Sequence, residues 1–318
     1  MNQYRSGIHH ITAIAGDPQK NVDFYTGILG LRLVKRTVNF DAPDTYHLYY
    51  GNGTGDPGTI LTFFPWGKGA WQGRTGTGQV SLISFAIPQN AMGFWVDRLK
   101  QLNISIQGPF NRFEEEVMSF RDPDGIQLEL VETSVDHFTP WEDGPINPEN
   151  AIRGFYGITL AVEAYEKTAG LLTETFGFRH IGESGNRFRY QSDTSTVDLL
   201  CLPNEGNSRM GVGAVHHIAW RTPDEPTQLN QREKLIELGY NVTPVIDRNY
   251  FHSIYFREPG GVLFEIATDP PGFLIDETLE TLGTHLKLPE WYEPRRSEIE
   301  SILPEITVSG VKAGVKVE

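Results

Sequence analysis

Residues 7–14, GIHHITAI, return near the other end of the chain as residues 214–221, AVHHIAWR. In each copy a pair of histidines lies among Ile, Val and Ala residues, a composition that favours a buried β-strand. Two equivalent strands so far apart in 318 residues indicate an internal repeat, so the segments that follow each strand should repeat as well.

The segment after the first histidine pair predicts a strand, a helix that begins at Pro18 and stops at the glycines of residues 27–30, and three further strands. This βαβββ order recurs from Gly78, from Gly154 and from residue 214, with helices predicted over 91–102, 165–176 and 225–238. The sequence therefore predicts an α+β fold of four βαβββ modules. In the last module, a second strand is expected over residues 240–247.

Residues 139–153 are rich in Pro, Asp, Asn and Gly, as expected for a linker between domains. We expect an N-terminal domain over residues 1–138 with modules one and two, and a C-terminal domain over residues 154–270 with modules three and four. A tail over residues 271–318 should carry a helix near 290–303, and its last residues should be frayed or strand-like.

The formal net charge of −14 argues against nucleic acid or an anionic membrane surface as a partner. No apolar run approaches 18 residues, and the first residues lack the features of a signal peptide, so we expect a cytoplasmic protein that acts on a small molecule. The single cysteine, Cys201, excludes an internal disulfide. An exposed sheet edge would allow a homo-oligomer.

This chain resembles the vicinal-oxygen-chelate superfamily, which groups glyoxalases, bleomycin resistance proteins and extradiol dioxygenases, over nearly its whole length. Residues 29–64, LGLRLVKRTVNFDAPDTYHLYYGNGTGDPGTILTFF, and 247–273, DRNYFHSIYFREPGGVLFEIATDPPGF, are similar to ring-cleaving dioxygenases of the hydroquinone type. The resemblance implies that pairs of modules form curved-sheet cups, two in all. One such cup would hold a divalent metal between ligands from first and fourth strands.

The last strand of module four, GVLFE, places Glu265 among apolar residues, where an unpaired carboxylate is costly unless a cation compensates for it. Two histidines and one carboxylate form the facial triad of non-haem Fe(II) oxygenases. When the closing strands GTILT and GIQLE are aligned with GVLFE, Thr62 of module one and Glu129 of module two are equivalent to Glu265. Modules one and four together would supply three ligands, whereas modules two and three have Leu82 where His217 stands and should hold no metal.

Strand alternation lets only one histidine of each pair face a metal but does not say which one. The resemblance implies His10, His217 and Glu265 as the ligands, with His9, His216 and Thr12 near the substrate. It also implies that Arg248 and Tyr255 are the arginine and tyrosine of the pocket. The other histidines are assigned to structure, although His252 lies near enough in sequence to line the pocket: His47, His137, His180, His252 and His285.

The resemblance implies an extradiol-type dioxygenase that opens a small hydroquinone-type or catechol-type ring beside a hydroxylated carbon. It would use Fe(II), or Mn(II), with O2 as co-substrate. His216 or His9 would move a proton, and Arg248 and Tyr255 would hold the second ring oxygen. Two alternatives stay open. A glyoxalase-type isomerase or lyase uses the same cup but generally needs a second carboxylate, which Thr62 does not supply. A small-molecule binding or resistance protein would need no metal.

Overall fold

The computed structural model describes residues 7–134 and 138–308, so His137 and the end of the tail lie outside the described residues. Its strands form two eight-stranded sheets. In chain order the strands are β1 (Ile8–Ala15), β2 (Arg32–Asn39), β3 (Ala42–Gly51), β4 (Ile60–Pro65), β5 (Gln79–Pro88), β6 (Ile106–Arg112), β7 (Glu115–Arg121), β8 (Gln127–Thr133), β9 (Phe155–Val162), β10 (Arg179–Ser184), β11 (Arg187–Gln191), β12 (Thr196–Cys201), β13 (Val215–Thr222), β14 (Ile246–Asp247), β15 (Phe251–Arg257) and β16 (Leu263–Pro271).

The first sheet joins modules four and one in the order β14-β15-β16-β13-β1-β4-β3-β2. The second joins modules three and two in the order β10-β11-β12-β9-β5-β8-β7-β6. In each sheet the two first strands pair antiparallel, β1 with β13 and β5 with β9, and each first strand is parallel to the fourth strand of its own module. The predicted α+β fold of βαβββ modules and the pairing of the first module with the fourth are confirmed. Each sheet takes one module from either side of residues 139–153.

The helices begin close to the predicted positions, and two of them change winding. They are α1 (Pro18–Val22), α2 (Met92–Gln101), α3 (Glu166–Gly170), α4 (Glu225–Glu237) and α5 (Arg296–Ile302). α1 continues as a π-helix over Asp23–Ile28 and α3 as a π-helix over Leu171–Thr175, so both predicted helices have wider final turns. The tail helix is shorter than predicted, because a 3₁₀ turn over Glu293–Arg295 precedes α5.

Two strands differ from the predictions. β6 was not predicted, because it is an edge strand whose middle residues are all exposed and show no apolar alternation. The strand expected over residues 240–247 is wrong in length, since only β14 forms there. Pro244 cannot donate a ladder hydrogen bond. Thr243 instead contacts Tyr255 through one backbone hydrogen bond of 3.0 Å and accepts a second, also of 3.0 Å, from Tyr255 N at its side-chain hydroxyl.

The tail packs on the first sheet. Lys287 N donates to the Arg36 carbonyl over 2.9 Å along the edge strand β2, which partly covers the edge that could favour self-association. At its start, the ring of Phe273 contacts Tyr49 and Tyr250, each at a centroid distance of 5.1 Å. The tail thereby closes the apolar base beneath the site described next. Within the described ranges, none of the helices is both long and apolar enough to cross a membrane.

Candidate metal centre

β-Bulges lie at both histidine pairs. In the pairing of β1 with β13, His9 has no partner although its neighbours Ile8 and His10 do. His216 likewise has none, although Val215 and His217 are paired. A bulge sets two residues of one strand against one of its partner and breaks alternation. The two rings of each pair therefore lie side by side, although only one histidine of each pair joins the group of ligand atoms described next. His9 Nδ1 lies 2.9 Å from His10 Nδ1, and His216 Nδ1 lies 2.8 Å from His217 Nδ1.

One histidine of each pair meets Glu265 in the centre of the first sheet. His10 Nε2 and His217 Nε2 are 3.3 Å apart, and Glu265 Oε2 lies 3.4 Å from the first and 2.9 Å from the second. All three side chains are buried. Among residues 7–134 and 138–308, this is the one group of His, Cys, Asp or Glu side chains whose ligand atoms converge closely enough to hold a metal ion.

Hydrogen bonding sets the tautomer of the first ligand histidine. His9 Nε2 lies 3.1 Å from the carbonyl oxygen of Thr268, which can only accept, so His9 donates there. Burial lowers the pKa of His9 well below its usual value, so the ring is neutral and its Nδ1 accepts from His10. His10 therefore carries a proton on Nδ1, and its Nε2 faces Glu265. An Nδ1 partner that fixes ring orientation in this way is typical of histidines that bind a metal.

Glu265 is an anion whose second oxygen lacks a partner. Its Oε1 accepts from Ser253 Oγ over 2.5 Å, whereas Oε2 has no hydrogen-bond partner among the described residues. Burial by itself would raise the pKa of Glu265, but His10 and His217 outweigh burial and hold this pKa well below its usual range. A buried carboxylate beside two imidazole nitrogens is unfavourable unless positive charge balances it, and either protons on the rings or a metal ion between the ligands can supply that charge. The donor set therefore fits a divalent metal.

The fourth corner of the centre is neutral. Thr62 stands opposite Thr12 in the parallel pair β1–β4, as Glu265 stands opposite Ala219 in β13–β16. Thr62 Oγ1 donates to Thr12 Oγ1 over 2.9 Å and lies 2.8 Å from His47 Nε2. The structure thus places a hydroxyl where the related position of module four has a carboxylate, as the aligned closing strands predicted.

The triad borders a cavity of about 460 Å³ whose walls are largely aromatic. Of the residues predicted near the substrate, Thr12, His216, Arg248 and Tyr255 line this cavity together with both ligand histidines. His9 does not line it and packs behind His10 against Phe251. The remaining wall residues include Phe40, His47, Tyr49, Phe64 and Trp66.

His216, Arg248 and Tyr255 have distinct settings. Burial and the neighbouring His217 lower the pKa of His216 to about 3, so the ring is neutral, and no described residue contacts its Nε2 through a hydrogen bond. Arg248 Nε donates to the Tyr255 hydroxyl over 3.2 Å, and its Nη1 forms an ion pair of 3.0 Å with the exposed Asp41. Burial, then the charge of Glu265, raises the pKa of Tyr255, so its hydroxyl stays protonated.

Sequence reasoning missed His47, which was assigned to structure but lies in the cavity wall. The signal was present in TYHLYY, where alternation places His47 and Tyr49 on one face of β3. His252 has the opposite outcome. Its Nδ1 lies 3.2 Å from Glu225 near the surface, and it does not line the cavity.

The second sheet neutralises the equivalent positions with arginine. Glu129 pairs with Arg112 over 2.8 Å, and Asp198, opposite Thr159, pairs with Arg189 over 2.7 Å. The positions that match His10 and His217 are Leu82 and Gly157. A Cβ added to Gly157 would lie 2.1 Å from a backbone oxygen of Thr196, so no other residue fits there. The charges of Glu129 and Asp198 are therefore balanced by arginine side chains.

The chain belongs to the Glyoxalase/Bleomycin resistance protein/Dioxygenase superfamily, whose family model matches residues 7–130 and 155–266. It is 53% identical over 307 residues to MhqO of Bacillus subtilis (strain 168), provisionally named a ring-cleaving dioxygenase, covering 96% of this chain and 98% of the relative. It is 34% identical over 303 residues to the chlorohydroquinone/hydroquinone 1,2-dioxygenase of Sphingobium indicum, covering 92% and 94%. A crystal structure of a provisionally named dioxygenase from Bacillus subtilis superposes with a TM-score of 0.92 at 52% identity, covering 95% of this chain and 98% of that chain. The resemblance inferred from sequence is confirmed.

Proposed function

We propose that this protein is a ring-cleaving dioxygenase that adds both atoms of O2 to a small hydroquinone-type aromatic compound. The observation that carries the proposal is the convergence of two imidazole nitrogens and one unpaired carboxylate oxygen at the edge of an aromatic cavity, with a neutral fourth corner. The name of the relative chlorohydroquinone/hydroquinone 1,2-dioxygenase supports this substrate class, and the name of MhqO supports ring cleavage. We further propose that the ring opens beside a hydroxylated carbon, in the extradiol manner, and a catechol-type substrate is the alternative within the same chemistry.

His10, His217 and Glu265 would hold the metal, which we propose is Fe(II), with Mn(II) as the alternative. When bound, this ion would bring O2 and the aromatic substrate together and pass electrons between them. Three protein ligands suit this task because they leave room for two further partners.

We assign movement of the substrate's hydroxyl proton to His216. Its Nδ1 is held by His217, whereas its ring lines the cavity and its Nε2 has no hydrogen-bond partner among the described residues. A group in this position can accept a proton from a hydroxyl bound beside the metal site. His9 cannot do so, because His10 and the Thr268 carbonyl occupy both of its ring nitrogens. Its proposed role is to orient His10.

Arg248 and Tyr255 would bind the second oxygen of the ring. The guanidinium and the protonated hydroxyl are already hydrogen-bonded to each other and both face the cavity. Donors fixed in this way stabilise negative charge that develops on an oxygen. Thr12 faces the cavity from the neutral corner and would contribute a further polar contact.

Oxygen uptake tests the proposal. Protein purified without oxygen and reconstituted with Fe(II) is supplied with methylhydroquinone and catechol in parallel, with His217→Ala as the matched control. We expect uptake with the hydroquinone that the control lacks. Absence of uptake from protein with one tightly bound metal per chain would point to isomerase or lyase chemistry. Absence of bound metal would refute the triad and favour a binding protein.

A further inference from the structure

A row of hydrogen-bonded side chains runs along the cavity wall at the neutral corner. Tyr49 OH lies 2.8 Å from His47 Nδ1, and His47 Nε2 lies 2.8 Å from Thr62 Oγ1. Thr62 Oγ1 in turn donates to Thr12 Oγ1 over 2.9 Å. The row therefore ends at Thr12, beside the ligand His10 in the same strand.

The number of protons available fixes which residue donates and which accepts in each hydrogen bond of the row. The Thr62 hydroxyl has a single proton, which it donates to Thr12, so it must accept from His47 Nε2. Burial lowers the pKa of His47 well below its usual value, so the ring is neutral. The neutral ring then has a lone pair on Nδ1, and Tyr49 donates to it.

This direction leaves the hydroxyl proton of Thr12 free to be donated. Its hydroxyl already accepts from Thr62, and no nitrogen or oxygen of the described residues accepts its own proton. Thr12 is buried but lines the cavity, so a molecule bound there is the available acceptor. The matching position in module four is Ala219, which has no hydroxyl, so this donor exists at one corner of the cup alone.

We propose that Tyr49, His47 and Thr62 are positioning residues that hold the Thr12 hydroxyl as a hydrogen-bond donor towards the substrate. The inference rests on the proposed function and deepens it, because a fixed donor selects an acceptor. The ring oxygen that meets Thr12 must therefore accept a hydrogen bond, which a phenolate oxygen does most strongly, and a group that can only donate there is disfavoured.

Anaerobic binding of hydroquinone to the metal-loaded protein tests the row without relying on turnover. Thr12→Val removes the donor and should weaken binding roughly tenfold, as expected for a hydrogen bond to a charged oxygen. Thr62→Val keeps the donor but frees its orientation, so we expect a smaller loss of roughly threefold to fivefold. The double variant should bind no more weakly than Thr12→Val, because Thr62 acts through Thr12. Thr62→Ser, which retains the hydroxyl, should restore binding.

Tyr50→Phe is the matched control. Tyr50 follows Tyr49 in β3, is equally buried and donates to Asn21 over 2.8 Å, but it does not line the cavity. Its substitution should leave the Kd of hydroquinone unchanged, and every variant should retain one metal per chain. A Thr62→Val protein that loses its metal would show that the neutral corner supports the metal instead, which would overturn the inference.

Three other outcomes also decide the matter. Unchanged binding by Thr62→Val, or losses that add in the double variant, would overturn the inference while wild-type oxygen uptake leaves the proposed function intact. A wild-type protein that neither binds hydroquinone nor consumes oxygen with it would overturn both. Weakened binding that does not add, at constant metal content, would support the row as described.

Discussion

The hydrogen bond beneath Glu265 gives a sharp prediction about metal binding. Ser253 is fully buried in β15 and donates to Glu265 Oε1 over 2.5 Å. The other oxygen, Oε2, faces the two histidines, so this serine is the one described hydrogen-bond donor to the carboxylate. Ser253→Ala removes the bond, adds no bulk and leaves all three ligands in place.

The expected loss follows from the setting of the carboxylate. A hydrogen bond to a charged group contributes about 1.5–3 kcal/mol, and each 1.4 kcal/mol corresponds to about a tenfold change in affinity. Substitutions that remove hydrogen bonds from ligand side chains weaken metal binding by about 10–100-fold, in agreement. Glu265 is completely buried, so water cannot easily replace the lost donor. We therefore expect the Kd for Fe(II) to rise by about 10–100-fold in Ser253→Ala.

Competition with a coloured chelator under anaerobic conditions measures this Kd. Ser119→Ala is the matched control, because Ser119 Oγ donates to Glu129 over 3.3 Å in the second sheet, where Arg112 balances the charge. The control should bind metal as the wild type does. Equal affinity in Ser253→Ala and wild type would refute the conclusion that this serine supports a metal ligand.

Three further predictions concern other parts of the molecule. Lys35 is buried with its ammonium against Asp276, 2.5 Å away, and Glu277. Lys35→Met should lower the free energy of unfolding in urea by about 3–5 kcal/mol, because it leaves the buried carboxylate of Glu277 without its ion-pair partner; an unchanged midpoint would contradict this. After reconstitution with Fe(II), His216→Gln should keep the bound metal yet lose about 10²–10⁴-fold in kcat, the usual contribution of a positioned acid or base, and loss of the metal would show that the ligand and its neighbour are reversed. Burial raises the pKa of Asp122 from 3.8 to about 7, so the folded protein binds the extra proton and stability should fall as pH rises from about 4 to 7. Asp122→Asn should flatten that pH dependence in thermal unfolding, whereas an equally steep profile would reject the assignment.

Much of the fold could be read from the sequence because the four modules repeat the same order of elements. The alignment of GVLFE with GTILT made Thr62 of module one the equivalent of Glu265 in module four. The parallel registers of β4 and β16 agree, because both residues pair with equivalent positions of their first strands. The two histidine pairs indicated two first strands of one sheet, which pair antiparallel in the structure. Periodicity and repeats were sufficient for these features because they follow from local pattern.

Features that depend on the partner strand could not be read in this way. A bulge is a property of the pairing of two strands, so the stretch GIHHITAI does not predict that His9 lacks a cross-strand partner or that its ring contacts the ring of His10. The edge strand β6 has no buried face, and alternation is the signal by which strands are recognised. His47 appeared structural because its role depends on Thr62 and Thr12, which come from other strands. The path of the tail over β2 likewise rests on backbone contacts that carry no sequence signal.

We propose that the centre formed by His10, His217 and Glu265 supports addition of both oxygen atoms to a hydroquinone-type ring. The direct measurement is the mass of the product formed from methylhydroquinone under ¹⁸O2 by Fe(II)-loaded protein, with Glu265→Gln in parallel. We predict a ring-opened product that carries two labelled atoms, and none from the variant. A product that carries one labelled atom or no label, or the same product from Glu265→Gln, would show that this centre does not catalyse the addition of both oxygen atoms.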